Sequence, residues 1–114
     1  MTHSPAAWDF AASLRAILRS YLAEGRLDIN LVAGIAGCGV RTLQRRLKDC
    51  GQSFSDVLQQ ARFEVAAELL KDPDMKVIEA GYAVGYTDPS HFARAFRRVA
   101  GVSPKHYRTN GVLN

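Results

Sequence analysis

One face of a predicted helix at residues 40–49 carries polar side chains with the chemistry to recognise the edges of nucleic acid bases. Its members follow i, i+3, i+4 and i+7 spacing and are Arg41, Gln44, Arg45 and Lys48. In the major groove of DNA, arginine can donate two hydrogen bonds to guanine, and glutamine can pair in the same way with adenine. Arg46 lies beside this stripe, and we expect both Arg46 and Lys48 to contact phosphates. This pattern of side chains therefore predicts a helix that contacts bases directly and that also contacts the nucleic acid backbone beside them.

A second predicted helix repeats this stripe position for position when Phe92 is aligned with Leu43. Its outer side chains are Ser90, Ala93, Arg94 and Arg97, with Arg98 beside them. Asp88 is a good N-cap for this helix, and Pro89 suits the first helical position because its missing N–H would be unpaired there. A short helix and a glycine-containing turn precede each stripe, and the second turn is one residue longer. The repeat favours two helix-turn-helix units in one chain.

Apolar periodicity and capping residues predict the elements that position these stripes. An apolar stripe from Trp8 through Ile17 to Leu22 indicates a first helix that ends at Gly25 and serves as scaffold. A second helix follows Asp28, a good N-cap. The side chains expected to face inward on this second helix are Leu31, Val32, Ile35 and Ala36.

A long helix is predicted between the two units. Ser53 and Asp56 approximate a capping box at its start, and the pair Asp72–Pro73 ends it. About 19 residues rising ~1.5 Å each would form a stiff rod of roughly 28 Å that sets the separation of the units. Arg62 lies midway along this rod, where a structural salt bridge and a phosphate contact are both open alternatives.

The predicted fold class is all-α, with about seven helices in one domain that spans residues 1–114. We expect a first subdomain at about 6–52, the linker helix at about 54–72, a second subdomain at about 74–108 and a tail at 109–114. The second subdomain closes with a short helix that opens at Ser103–Pro104 and continues through Tyr107.

Positive charge is concentrated on the two polar helices and their flanks. Residues 39–51 hold four basic residues and one acidic residue, and residues 90–108 hold five basic residues and no acidic one. The rest of the chain holds six basic and ten acidic residues, so the net charge of +4 is very unevenly distributed. This distribution is the electrostatic footprint of a protein that binds a polyanion.

Length and composition narrow the class of protein. The 114 residues suffice for one compact domain or for two very small ones that share a core, and a hydrophobic content of 47% is ordinary for a globular protein. No apolar run approaches the roughly 20 residues that span a bilayer, and the N-terminus lacks a signal-peptide pattern, so we expect a cytoplasmic protein. Cys38 and Cys50 indicate neither a zinc site nor a disulfide framework. Without a nucleophile and base, a metal-ligand cluster or a glycine-rich phosphate loop, we predict no catalytic residue, metal or cofactor.

Two stretches of the chain are distinctive: GVRTLQRRL at residues 39–47 and AGYAVGYTDPSHFARAFRRVAGVSPKHYR at residues 80–108. Together they resemble the DNA-binding domain of the AraC/XylS family of bacterial transcription regulators, and the second matches that family's signature nearly end to end. The resemblance covers roughly residues 8–108. It implies two helix-turn-helix subdomains joined by a long central helix, with recognition helices that enter successive major grooves on one face of double-stranded DNA.

The resemblance also implies which side chains contact DNA. The base-reading positions are Arg41, Gln44 and Arg45 in the first unit and Pro89, Ser90, Ala93 and Arg94 in the second. The candidates for the DNA backbone are Thr87, His91, Arg97, Arg98 and Lys105, in addition to Arg46 and Lys48. Two departures from the family pattern bear on this assignment. Ala93 cannot form a hydrogen bond, so the second helix would contact fewer bases or a thymine methyl, and Gly39 replaces the usual serine cap of the first recognition helix.

Three classes of function can be compared on these grounds. A sequence-specific transcription regulator is favoured, because glutamine and arginine occupy two positioned helices. The alternative is a non-specific architectural or RNA-binding protein, whose affinity would depend on salt without any sequence preference. An enzyme has no supporting motif. The resemblance further implies RNA polymerase as a protein partner. It leaves two alternatives open: a separate ligand-binding and dimerisation domain in a longer native chain, as in many members of the family, or a single-domain activator that binds as a monomer, as in a minority.

Overall fold

The seven helices expected from periodicity are present in the computed structural model, which describes residues 5–24 and 27–110 and the side chains outside 5–9, 24 and 110. The helices are α1 at Pro5–Arg19, α2 at Ile29–Ala36, α3 at Val40–Asp49, α4 at Phe54–Leu69, α5 at Val77–Ala83, α6 at Pro89–Ala100 and α7 at Pro104–Asn110. A 3-10 turn, Leu22–Glu24, follows α1, and no strand occurs in the described ranges. Of these helices, none is long and apolar enough to cross a membrane. The predicted all-α class is confirmed.

Side chains that cap helix starts determine where several helices begin. The Asp28 carboxylate accepts a hydrogen bond from the Leu31 backbone N–H at 2.9 Å, which opens α2. At the start of α4, the Ser53 hydroxyl accepts from the Asp56 N–H at 3.1 Å, and the Asp56 carboxylate accepts from the Ser53 N–H at 2.9 Å. These contacts satisfy backbone donors that the first turn of a helix leaves unpaired. Both predicted caps are confirmed.

One continuous apolar core joins the two helix-turn-helix units through α4. On α4, Val57, Ala61 and Ala66 have no exposed surface. The helix packs against α1 of the first unit and against α5 and α6 of the second, while α3 packs against α1 and α2. Leu47 of α3 and Val84 after α5 are also fully enclosed. Because the core is shared, the position of each unit is determined by its contact with α4.

Three aromatic rings pack together where the second unit contacts α4. The ring centroid of Phe63 on α4 lies 5.0 Å from that of Phe96 on α6 and 6.0 Å from that of Tyr107 on α7. Phe96 and Tyr107 are 5.3 Å apart in edge-to-face geometry. Such pairs contribute about 0.5–1.5 kcal/mol each beyond the burial of apolar area. The last helix therefore closes the second unit against the central helix.

The first helix is shorter than predicted. It ends at Arg19, where the Ser20 hydroxyl donates a hydrogen bond to the Ile17 carbonyl at 2.8 Å. Serine side chains that bond their own backbone compete with the next helical turn. The predicted end at Gly25 and the side chain of Trp8 lie outside the described residues.

Two side chains predicted to face inward are exposed instead. Ile17 on α1 is 41% exposed and Leu31 on α2 is 49% exposed. Both lie at the edge of an apolar stripe whose centre is covered, since Leu18 and Val32 have no exposed surface. Periodicity indicates which side of a helix faces the core, but the neighbouring helix decides how much of that side is covered.

The central helix is also shorter than predicted. It ends at Leu69 instead of near Asp72, so its 16 residues form a rod of about 24 Å rather than roughly 28 Å. The Asp72 carboxylate accepts a hydrogen bond from the Asp74 N–H at 2.9 Å, which stabilises a turn after the helix. The connection to α5 therefore begins earlier than the sequence indicates.

The last helix is longer than predicted. It continues to Asn110 rather than ending at Tyr107. The Thr109 hydroxyl donates to the Lys105 carbonyl, one turn earlier, at 3.1 Å. Thr109 therefore belongs to α7 and not to the predicted tail, of which residues 111–114 lie outside the described ranges.

Helices α5 and α6 approach so closely that a methyl group does not fit between them. A Cβ atom on Gly81 would lie 2.8 Å from Cδ2 of Phe92, in the core of the second unit. A Cβ atom on Gly34 in α2 would have no neighbour within 4 Å. Neither glycine has a positive φ angle, so the two positions differ in available space and not in backbone strain.

We expect Gly81→Ala to lower the free energy of unfolding by about 1–3 kcal/mol, because the Phe92 ring would have to move. Gly34→Ala is the matched control, and we expect it to raise that free energy by about 0.5–1 kcal/mol, since alanine is the better helix former. Urea unfolding followed by circular dichroism measures both changes. Equal effects of the two substitutions would show that the close approach of α5 and α6 is not a constraint.

Candidate nucleic-acid interface

The face of α3 opposite the core carries the first predicted set of base-reading side chains. Leu43 and Leu47 have no exposed surface, so the helix turns its other side to solvent. The exposed side chains on that side are Arg41, Gln44, Arg45 and Lys48. Before α3, the N-cap Gly39 has an extended backbone and makes no side-chain hydrogen bond. The four polar side chains thus share one surface, on a helix whose start has no side-chain cap.

Helix α6 presents the second set on a comparable face. The Asp88 carboxylate accepts a hydrogen bond from the Ser90 N–H at 2.9 Å, and Pro89 occupies the first turn. Phe92 and Phe96 are 3% and 2% exposed, which directs the opposite face toward solvent. The members of the set on this face are Pro89, Ser90 and Arg94, which are exposed, and Ala93, which is half-buried. The base-reading set of α6 offers one long hydrogen-bonding side chain, Arg94, whereas that of α3 offers three.

The turns that precede α3 and α6 are built by the same hydrogen bond. The donor and acceptor pairs are the Cys38 N–H with the Ala33 carbonyl and the Tyr86 N–H with the Gly81 carbonyl, each at 3.0 Å. Gly37 and Gly85 immediately precede the two donors and have positive φ angles of 75° and 101°, a conformation that glycine adopts without strain. The repeat inferred from the sequence therefore extends to the backbone of the two turns.

The side chains predicted to contact the DNA backbone surround the two faces. All are exposed, and they are Arg46, Lys48, Thr87, His91, Arg97, Arg98 and Lys105. The ring of His91 lies 5.7 Å from that of Tyr86 in edge-to-face geometry. Arg97 lines a shallow concavity with Ser103 and His106 at the junction of α6 and α7. His106 is a candidate that the sequence analysis missed, although its place beside Lys105 was an available signal.

Two of these cations lie beside other parts of the protein. The guanidinium of Arg46 lies over the ring of Phe10 on α1, 4.1 Å from the ring centroid. Arg98 lines a polar groove along α4, together with Asp56 and Gln59. A cation–π contact at an exposed site contributes about 0.5–1 kcal/mol. The contact with Phe10 therefore orients Arg46 without burying it.

Arg62 on α4 stacks on an aromatic ring of the second unit. Its guanidinium lies over Tyr86, 4.9 Å from the ring centroid, and its buried Nε has no hydrogen-bond partner. The ring of Tyr86 in turn lies 5.5 Å from that of Phe92. Among the ion pairs of the described residues none involves Arg62, so these residues give the salt-bridge alternative no support. Arg62 ties α4 to the turn before α6, and its phosphate contact stays a prediction.

The structure has two helix-turn-helix units on one central helix, and the second helix of each unit is basic and exposed. These features identify the chain as a helix-turn-helix protein. A family model described as a helix-turn-helix domain matches residues 32–110. The chain belongs to this family, the AraC-type helix-turn-helix proteins, which confirms the resemblance found in the sequence. Its members are transcription regulators and not enzymes.

Curated relatives are similar over most of the chain. An uncharacterised HTH-type transcriptional regulator of Mycobacterium bovis is 41% identical over 80 residues, which cover 70% of this chain and 23% of that protein. The transcriptional activator NphR of a Rhodococcus species is 32% identical over 92 residues, which cover 81% of this chain and 28% of that protein. The chain therefore spans about a quarter of the length of these relatives.

Solved structures share the fold. The transcriptional regulator CdpR of Pseudomonas aeruginosa gives a TM-score of 0.77 at 34% identity, covering 88% of this chain and 31% of that one. The DNA-binding domain of AdpA, determined in complex with a target DNA, gives 0.74 at 29% identity, covering 87% of this chain and 89% of that one. With the family membership, these similarities support DNA binding and transcription regulation.

The different caps of α3 and α6 allow a test of how each recognition helix is held. We expect Asp88→Ala to lower the free energy of unfolding by about 0.5–2 kcal/mol, because the Ser90 N–H loses its acceptor. Gly39→Ser adds the cap that α3 lacks, and we expect a gain of about 0.3 kcal/mol. Thermal unfolding of both variants and the native chain measures the changes. A loss of stability in Gly39→Ser would contradict the assignment of residue 39 as an N-cap.

Proposed function

We propose that this chain binds double-stranded DNA sequence-specifically and regulates transcription, with α3 and α6 in successive major grooves. The observation that carries the proposal is the pair of exposed recognition faces, built behind equivalent turns and held on one central helix. A major groove about 12 Å wide admits an α-helix, whose diameter with side chains is about 10–12 Å. The family membership and the similarity to the DNA-bound AdpA domain support the same function.

In this proposal α3 contributes most of the sequence specificity. Arg41 and Arg45 can each donate two hydrogen bonds to the O6 and N7 atoms of guanine, and Gln44 can pair with adenine through N6 and N7. All three side chains are exposed and lie on the side of the helix opposite the buried leucines. They can therefore enter a groove without disturbing the core.

Helix α6 supplies a smaller set of base contacts. Arg94 stands at the position of Arg45 in the repeat and is expected to bind guanine. Pro89 and Ser90 form the exposed tip of the helix, and Ala93 offers a methyl group to thymine. We therefore expect the second half-site to be shorter and less strictly specified than the first.

The surrounding side chains would supply affinity that does not depend on sequence. These backbone contacts are Arg46, Lys48, Thr87, His91, Arg97, Arg98 and Lys105. Each phosphate that a cation neutralises adds about 0.9 to the slope of log affinity against log salt concentration. RNA polymerase as a partner, and a separate ligand-binding or dimerisation domain, remain predictions from the family resemblance.

Selection from a random-sequence duplex pool at physiological salt tests the function directly. We expect two enriched blocks about 10–10.5 base pairs apart, centre to centre, because two recognition helices on one chain occupy consecutive major grooves. Affinity against salt concentration is then measured for the selected duplex and a scrambled control. A steep salt slope on every duplex without any enrichment would instead assign the chain to the non-specific architectural class.

We expect Arg45→Ala to weaken binding to the selected duplex by about 1–3 kcal/mol and to relax the preference at one base pair. Arg98→Ala is the control for a backbone contact, and it should weaken selected and scrambled duplexes alike while lowering the salt slope by about 0.9. Fluorescence anisotropy titrations at several salt concentrations measure both effects. Equal losses of Arg45→Ala on the two duplexes would exclude a base-reading role for Arg45.

A further inference from the structure

Arg108, near the end of α7, binds the backbone of a segment far away in the sequence. Its Nε donates a hydrogen bond to the Leu70 carbonyl at 3.2 Å. A terminal nitrogen donates to the Asp72 carbonyl at 3.2 Å and also to the Met75 carbonyl. The three acceptors lie between α4 and α5, at 33 to 38 residues from Arg108 in the chain. One side chain of the last helix therefore spans the whole connection between the central helix and the second unit.

The chemistry of the guanidinium group explains why an arginine suits this position. Its planar fork carries five N–H donors in a fixed geometry, whereas lysine has all its donors on one nitrogen. Leu70 is the C-cap of α4, and carbonyls at a helix end lack partners within the helix. The negative end of the helix dipole also favours a cation there. Arg108 can thus hold the end of α4 and the following turn together.

Helix α7 contacts α4 at a second place, through the residue next to Arg108. The Tyr107 ring lies 6.0 Å from that of Phe63, one and a half turns or more before the end of α4, and 5.3 Å from that of Phe96 on α6. Tyr107 packs on the middle of the second unit, and Arg108 binds the connection that leads into it. These two contacts restrain both the distance and the angle between the second unit and α4.

We propose that Arg108 is a positioning residue for DNA recognition, which fixes the second helix-turn-helix unit at the end of α4 and so sets the preferred spacing of the two half-sites. This inference rests on the function proposed above, since spacing has meaning only when both units bind DNA. Arg108 belongs to the basic segment 90–108, but it directs its donors at backbone carbonyls. Its role would therefore be geometric rather than that of a phosphate contact.

The inference is tested with a series of duplexes that carry both selected half-sites. The separation between the two half-sites changes by one base pair from each duplex to the next. We expect the affinity of the native chain to be about tenfold higher at one spacing than at the neighbouring spacings. We expect this preference to fall to about twofold in Arg108→Met, because a loosely held second unit gains less affinity from being linked to the first. The affinity of Arg108→Met for a duplex with the first half-site alone, and its salt slope, should equal those of the native chain.

Lys105→Met is the matched control, because it removes one positive charge from the exposed side of the same helix. We expect it to lower the salt slope by about 0.9 and to leave the spacing preference unchanged. The reverse result, a lowered salt slope and an unchanged spacing preference in Arg108→Met, would assign Arg108 to a phosphate and overturn the inference.

The remaining outcomes separate this inference from the proposed function. A native chain without any preferred spacing would show that the two units do not bind DNA together, so that both proposals are wrong. A native preference that Arg108→Met retains in full would leave the proposed function intact and reject the positioning role alone.

Arg108→Lys keeps the test valid if Arg108→Met does not fold, which circular dichroism at the assay temperature decides. Lysine preserves the charge at the end of α4, but its single nitrogen cannot span the three carbonyls. We expect an intermediate spacing preference of about fivefold for this variant. A spacing preference equal to that of the native chain would show that the arginine fork is not required.

Discussion

The structure depends on one constraint, which is that neither helix-turn-helix unit can enclose its own apolar residues. Two short helices leave one face of each uncovered: α1 packs on α3 in the first unit, α4 packs on α5 and α6 in the second, and α1 and α4 pack on each other. The small side chains of Ala61 and Ala66 are fully enclosed on α4, which lets the neighbouring helices come close. Helix α1 completes the first unit and α7 completes the second. The outer faces of α3 and α6 lie outside the centre of this core, so most of their side chains are free to contact a ligand.

Local interactions made the starts of the helices predictable, while their ends were harder to place. Asp28, Ser53 and Asp88 cap N–H groups only two or three residues ahead, so the sequence alone identifies them. The ends of α1 and α4 that the sequence predicts lie further along the chain than the observed ends. The reason is that Ser20 and Asp72 can either continue a helix or form hydrogen bonds with the nearby backbone. The exposure of Leu31 depends on packing between helices, which periodicity does not contain.

The candidate site also has one part that the sequence predicts and another part that depends on the packing between helices. The polar stripes of α3 and α6 are the complement of their buried stripes, so periodicity is sufficient to assign them. The cations outside the stripes are different, because Arg46 lies over the ring of Phe10 and Arg62 over that of Tyr86. A sequence shows a cation but not the ring that a distant segment brings beside it. For this reason the contact between Arg62 and Tyr86 does not follow from the sequence alone.

An arginine that binds the backbone of its own chain also changes what can be concluded from the pattern of charges in the sequence. Residues 90–108 contain five basic residues and no acid, yet the donors of Arg108 are directed at three backbone carbonyls. No carboxylate neutralises this charge in those contacts, so it still adds to the potential around the second unit, within a screening length of about 8 Å at physiological salt. It adds no direct phosphate contact while its donors are engaged, and so it displaces no counterion from the nucleic acid. Clustered basic residues therefore predict attraction to a polyanion, whereas the number of contacts follows only from where each cation's donors are directed.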